Sequence, residues 1–219
     1  MNAMQLLSLN VGKPIVIDYN GKPVETGIYK QPTEHAVYLS AVQLEGDGQA
    51  DRVNHGGEDK AVCVYSAGRY GYWRERLNLE LPYGAFGENF TVSGMLEQEV
   101  HIGDIFQLGE TVVQISQPRQ PCFKLGKKHN EPTLPMQVQE TGYSGYYFRV
   151  LETGYVQQGQ SFKLVQRDAA GISIAEANRV KYRDKRDWDA INALLSVEAL
   201  SDSWRASLQK RLDERDKQG

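Results

Sequence analysis

The chain has 219 residues, 40% of them hydrophobic and 24% charged, and carries a net charge of −3. That length suits one medium domain with an appendage and is enough to bury a core without metal or disulfide staples. The mildly acidic balance argues against a nucleic-acid or acidic-membrane protein, which needs a concentrated basic surface, and no apolar run approaches the ~18 residues of a bilayer span.

The first ten residues lack a basic region followed by an apolar stretch and a small-residue cleavage site, so a cytoplasmic protein is expected. Its two cysteines are then read as thiols, since cytoplasmic disulfides are uncommon.

In chain order, Gln5 to Val11 reads as an opening strand. Ile15 to Tyr19 and Val24 to Tyr29 read as a hairpin about Asn20-Gly21, the residue pair a type I′ turn requires. A single helix is expected over Gly68 to Asn78, between strands at Ala61 to Ser66 and Phe90 to Val92. Ile105 to Leu108 and Thr111 to Ser116 form a second hairpin about Gly109-Glu110, with glycine where a type II′ turn needs it. Gly145 to Leu151 and Ser161 to Val165 complete the set. Many short strands with glycine-rich turns predict a mainly β fold of barrel or sandwich type.

After Arg167 the character changes. Ser173 with Glu176 makes a capping-box pattern, Asp187 is placed to cap a second helix, and Ser201 or Asp202 a third. In that last segment Trp204, Leu208 and Leu212 recur every four residues, the spacing of an apolar helix stripe. The reading is a β domain over 1–166 and a three-helix appendage over 167–219. The appendage is too small to stand alone, so it packs on the β domain or on a second copy of the chain, a homodimer.

Four stretches can carry chemistry. Cys122 sits in a loop stiffened by Pro118 and Pro121 directly after a strand, with Arg119 and Lys124 close by in sequence. Such neighbours favour thiolate, the form that ligates soft metals or attacks sulfur. Cys63, within an apolar strand, reads as a buried core thiol. In the segment His55-Gly56-Gly57-Glu58-Asp59-Lys60, two glycines let backbone N–H groups cradle an anion, aided by Lys60 and by a hydrogen bond from His55. Glu88 and Asn89, at the start of a strand, suit a polar heterocycle. The glycine-and-tyrosine stretch Gly142 to Tyr147 can wall a flat ligand, or simply be strand. The four histidines are scattered and no HExxH or CxxC spacing occurs, so a protein-only zinc site is not expected.

Taken in order, His55-Gly56-Gly57 with Asp59-Lys60-Ala61-Val62, then Gly87-Glu88-Asn89-Phe90, Ile102-Gly103-Asp104, and Gln117-Pro118-Arg119 with Cys122 resemble the MOSC family, named for the C-terminal domain of molybdenum cofactor sulfurases. The tail resembles the three-helix appendage of the YiiM-like bacterial subgroup.

The resemblance implies a barrel-like MOSC domain whose pocket holds the molybdenum cofactor, molybdopterin with its dithiolene and phosphate. It implies Cys122 as molybdenum ligand, or as a carrier of sulfur. Arg119, Lys60 and Gly56-Gly57 are then the supply of charge and N–H groups for the phosphate, and Glu88 and Asn89 the partners of the pterin edge. Two activities follow from relatives: reduction of small N-hydroxylated compounds, of hydroxylaminopurine or amidoxime type, and delivery of persulfide sulfur in cofactor maturation. Pyridoxal phosphate is not expected, because the chain has no room for the aminotransferase-like domain that uses it. No flavin, iron–sulfur or haem signature is present, so a reductase would need a separate electron-donating partner.

Overall fold

The structure is a computed structural model that describes residues 4–50 and 56–217. Twelve strands and six α-helices are described. The main sheet has eight strands in the order β12-β8-β9-β10-β6-β7-β1-β4. These are β1 Gln5–Val11, β4 Gln31–Thr33, β6 Val62–Ser66, β7 Phe90–Ser93, β8 Ile105–Leu108, β9 Thr111–Pro118, β10 Tyr146–Glu152 and β12 Phe162–Gln166. All neighbours run antiparallel except β6 and β7. The sheet curls until β1 meets β12: Leu6 N donates to Gln160 O at 2.9 Å and Phe162 N to Met4 O at 2.8 Å. A barrel-like wall results, filled by Phe90, Phe106, Phe148 and Phe162. Each such buried ring is worth roughly 2–3 kcal/mol over an exposed one.

Two small pairs decorate this wall. β2 Ile15–Tyr19 and β3 Lys22–Thr26 form the expected hairpin, with Asn20 and Gly21 at φ 54° and 75° as a type I′ turn requires. β5 Val37–Leu39 pairs with β11 Gly154–Val156, a pairing whose three-residue strands leave little alternation in the sequence.

The β region holds three helices where sequence reasoning expected one: α1 Tyr70–Leu77, α2 Phe123–His129 and α3 Leu134–Thr141. α2 begins where the reading had only a stiff loop. Its N-cap is Cys122, whose side chain makes no capping bond, and Gly126 lowers its helix propensity. Packing overrides that penalty: a Cβ at Gly126 would lie 2.8 Å from Glu131 O, so the glycine permits close approach. Leu125, Leu134 and Val138 join Tyr65, Tyr70, Trp73 and Phe86 in a second core beside the main one.

The C-terminal region forms α4 Ile174–Asn178, continued by a π-helical turn Arg179–Arg183, then α5 Trp188–Ser196 and α6 Asp202–Asp216. Ser173, Asp187 and Ser201 each accept a backbone N–H as N-caps. Glu176 does not reach back to close the capping box; it binds Arg179 instead. Ile174, Ile191, Leu194, Trp204 and Leu208 share one continuous core with the barrel. Ser201 N donates to Ser116 O at 3.1 Å, and the hydroxyls of Ser201 and Ser203 both reach Gln117 Oε1. Among the described residues, no helix is long and apolar enough to cross a membrane.

Candidate functional site

A cleft opens where the β6–β10–β9 wall meets the segments Thr26–Lys30 and Asp47–Ala50. The loop Arg119–Cys122 leaves β9 and forms its near side, held by Arg119 N donating to Gly145 O at 3.0 Å. Cys122, half-buried, is the last residue of that loop before α2. Among the described residues, Lys30, Lys60, Arg119 and Lys124 line the cleft against one carboxylate, Asp47. Lys30 is paired with Asp47, and the cationic balance that remains would suit an anionic group.

Arg119 is the centre of this arrangement. It is 6% exposed. Its Nη2 donates to Phe86 O at 2.6 Å, while its Nη1 is buried with no hydrogen-bond partner among the described residues. A buried donor left unpaired costs about 1–3 kcal/mol, more for a charged group, and a ligand acceptor would relieve that cost.

Behind the cleft lies a clasp that fixes this guanidinium. Glu88 is fully buried, and its Oε1 accepts from Gly84 N at 3.0 Å, Thr91 Oγ1 at 2.7 Å and the Tyr70 hydroxyl. Its Oε2 accepts from Phe86 N at 3.0 Å. The carbonyls of the same segment accept from basic side chains: Gly84 O from Lys128 Nζ at 2.8 Å, Ala85 O from His129 Nε2 at 2.8 Å, and Phe86 O from Arg119. Gly87 turns this strap at φ 78°; a Cβ there would come within 2.6 Å of Ile28 Cγ1, so a side chain is excluded. Burial lowers Lys128 to about 8, with Arg119 and Lys30 adding to the effect and Glu88 opposing it. Burial also holds His129 below its ordinary value.

Of the residues singled out in the sequence, Lys60, Asn89, Arg119 and Cys122 line the cleft. Asn89 is largely committed to the fold. Its Nδ2 donates to Asp47 Oδ2 at 2.8 Å and Asn10 O at 3.2 Å, and its Oδ1 accepts from Cys63 N at 3.1 Å. Glu88 is not on the lining; its oxygens are occupied by the clasp. Asp59 is not there either. It pairs with Arg149 and accepts from Asp202 N at 3.1 Å, which ties the barrel to the start of α6. Gly56 and Gly57 lie off the described lining, Gly57 starting a 3-10 turn at φ 87° that ends in Lys60. His55 lies outside the described residues.

Sequence reasoning missed Lys30, Asp47 and the placing of Cys63. Lys30 Nζ meets Asp47 Oδ1 at 2.5 Å, both side chains being buried. Nothing in the local sequence pairs two residues that far apart. Cys63 is buried as expected, yet it belongs to the cleft wall, beside Tyr147 across the β6–β10 ladder. Burial pushes its thiol up to about 11, outweighing the pull of Arg119. Tyr147 is the one member of the Gly142 to Tyr147 stretch that reaches the cleft.

The chain belongs to the MOSC domain family, whose model it matches over residues 51–163. Within that family it is YiiM-like: residues 172–215 match the YiiM-like 3-alpha helix domain. The crystal structure of YiiM from Geobacillus stearothermophilus aligns with a TM-score of 0.83 at 42% identity, over 95% of this chain and 99% of that one. YflK, an uncharacterized protein of Bacillus subtilis (strain 168), is 54% identical over 208 residues, 95% of this chain and 94% of its own. A protein of Gibberella moniliformis (strain M3125 / FGSC 7600) named reductase is 35% identical over 164 residues, which are 73% of this chain but 29% of that longer one.

Proposed function

We propose that the cleft holds the molybdenum cofactor, with Cys122 as metal ligand, and that the protein is an oxidoreductase that reduces N-hydroxylated compounds of hydroxylaminopurine or amidoxime type. The observation that carries this reading is the buried Nη1 of Arg119, without a partner among the described residues, on the same cleft as a half-buried thiol and three lysines. The donor set fits the group: a thiolate suits molybdenum, and a guanidinium fork suits a phosphate. MOSC membership and the name of the fungal relative add support.

When bound, the cofactor supplies a metal that passes electrons to the N–O bond. The chain's own residues do the rest. Cys122 fixes the metal end from a loop held between β9 and α2. Arg119, oriented by Phe86 O, offers its second nitrogen to an anionic oxygen, and Lys60 and Lys124 add charge around it. Tyr147 and the Lys30–Asp47 pair form the wall beside it. Reduction of an N–OH group takes up two electrons and two protons and yields an amine and water, so an electron-donating partner protein is part of this proposal.

The test is the metal and pterin content of protein purified from cofactor-competent cells. About one molybdenum per chain is expected, lost in Cys122→Ser. Equal molybdenum in both proteins overturns the ligand role. A persulfide trapped on Cys122 in protein devoid of pterin would favour a sulfur carrier instead.

A further inference from the structure

The peptide unit between Pro118 and Arg119 joins the end of β9 to the loop that bears Cys122, and both of its polar atoms are held. Its N–H, on Arg119, donates to Gly145 O at 3.0 Å. Gly145 O also accepts from Ser144 Oγ at 2.7 Å, and Ser144 Oγ accepts from Asn178 Nδ2 at 2.8 Å. The same Nδ2 donates to Gly142 O at 3.1 Å, so Asn178 fixes the segment that carries Ser144. The carbonyl, on Pro118, accepts from Gln117 Nε2 at 3.1 Å. Gln117 Oε1 accepts in turn from Ser201 Oγ at 2.7 Å and from Ser203 Oγ at 3.1 Å. Ser201 Oγ accepts from Trp204 N as the cap of α6 and gives its own proton to Gln117, which sets the amide with its N–H toward Pro118. Asn178 ends α4, and Ser201 and Ser203 lie at the start of α6, so both paths begin in the C-terminal helices. Gln117, Arg119, Ser144, Asn178 and Ser201 are all buried.

We propose that the three-helix appendage is a positioning device for the cleft: Asn178 on one side and the Ser201–Ser203 pair on the other lock the peptide from which Arg119 departs, and so aim its guanidinium at an anionic ligand. Asn178, Ser201 and Ser203 are positioning residues, since none of them is on the described lining of the cleft. The identity of the ligand rests on the function proposed above; the grip on the peptide does not. Arginine has a long side chain with about 2 kcal/mol of rotamer entropy, so its tip is well placed only if its base is fixed. A hydrogen bond such as that of Nη2 to Phe86 O fixes a point rather than an orientation, and the locked peptide supplies the second constraint. Buried polar groups that are paired in sequence act as a unit, so loosening one end of a path is felt at the other. A shift of about 1 Å at a binding group can cost on the order of 100-fold, so a slighter tilt of this peptide is enough to be read in the cleft.

The experiment uses the full chain, purified without bound metal, and two variants, Asn178→Ala and Ser203→Ala, with nuclear magnetic resonance reading the backbone N–H and the Nε–H of Arg119. Ser203 is exposed and is not the cap of α6, so this variant decides the matter if Asn178→Ala fails to fold. Hydrogen exchange at the Arg119 N–H is expected to rise at least about ten-fold in Asn178→Ala, and the Nε–H signal to move in both variants. The Ile115 N–H, which donates to Asp104 O within β9, is the reference and is expected to exchange as in the unaltered chain. General destabilisation would speed both amides alike, so their ratio separates positioning from mere support. Inorganic phosphate is the probe for the cleft, titrated through the Arg119 Nε–H. Its affinity is expected to fall about ten-fold in Asn178→Ala, and less in Ser203→Ala, which keeps the Ser201 bond to Gln117. Arg119 signals unchanged in both variants overturn the proposal, as do equal acceleration of Arg119 and Ile115 and phosphate affinity that holds while the Arg119 signals move. An unaltered chain that binds no phosphate sinks the anion site of the proposed function, and the Arg119 signals then decide the grip by themselves.

Discussion

The clasp behind the cleft and the cleft itself use the same kinds of residue to opposite ends. In the clasp, Glu88 accepts four hydrogen bonds, and the carbonyls of Gly84, Ala85 and Phe86 take Lys128, His129 and Arg119. In the cleft, among the described residues, one carboxylate stands beside four cations and one buried guanidinium nitrogen has no partner. Arg119 belongs to both, one nitrogen in each. Buried polar groups that are fully paired hold a structure, whereas one left open on the wall of a cleft can be paired by a ligand.

The largest effect should come from breaking the clasp. Glu88→Gln keeps the shape but turns an amide NH₂ toward groups that themselves donate, so at least one buried donor loses its acceptor. A loss of about 3 kcal/mol is expected, read as a lower urea midpoint. A change under about 0.5 kcal/mol would show that the clasp is no more than a tidy turn.

A smaller effect separates the two faces of Arg119. Lysine keeps the charge but has no planar fork, so it cannot serve Phe86 O and the cleft together. Arg119→Lys should lower retention of molybdenum and pterin after dialysis by about ten-fold while costing only about 1 kcal/mol of stability. Loss of stability with full retention would mean that Nη1 does not face the ligand.

The same contrast explains what the sequence tells and what it conceals. Several strands are legible because their signals are local: Asn20-Gly21 between β2 and β3, and Gly109 between β8 and β9. The appendage is legible through its caps at Ser173, Asp187 and Ser201. Cys122 and Arg119 stand out because prolines and charges flank them. Lys30, Asp47 and Cys63 do not, since their meaning lies in contacts made across the fold. Glu88 shows the reverse case. A carboxylate beside an amide before a strand suggests a ligand partner, yet here the turn that precedes it, with Tyr70 and Thr91, engages both of its oxygens. α2 is hidden because its N-cap makes no side-chain bond and it contains a glycine, so tertiary packing rather than propensity decides it.

The smallest expected effect is a pH dependence located in the clasp. Lys128 titrates at about 8 in the folded chain and near 10.4 when unfolded. Between those values the unfolded state binds more protons, so stability rises with pH. Between pH 8 and 9 the gain from this residue is about 1 kcal/mol. Lys181, lowered by burial to about 8, acts in the same direction from the appendage, where Nζ donates to Ser207 Oγ at 2.6 Å. Above pH 9 Cys63 works against both. Its thiol is held up to about 11 in the fold, so the unfolded state loses that proton first and stability falls. The window for measurement is therefore pH 8 to 9, with urea midpoints taken at each. Lys128→Met should reduce the slope there by about 1 kcal/mol per pH unit, and Lys181→Met by a comparable or smaller amount because it is less buried. If Lys128→Met leaves the slope unchanged, the ammonium is not held by the Gly84 and Ile28 carbonyls in a dry setting, and the clasp is open to water on that side.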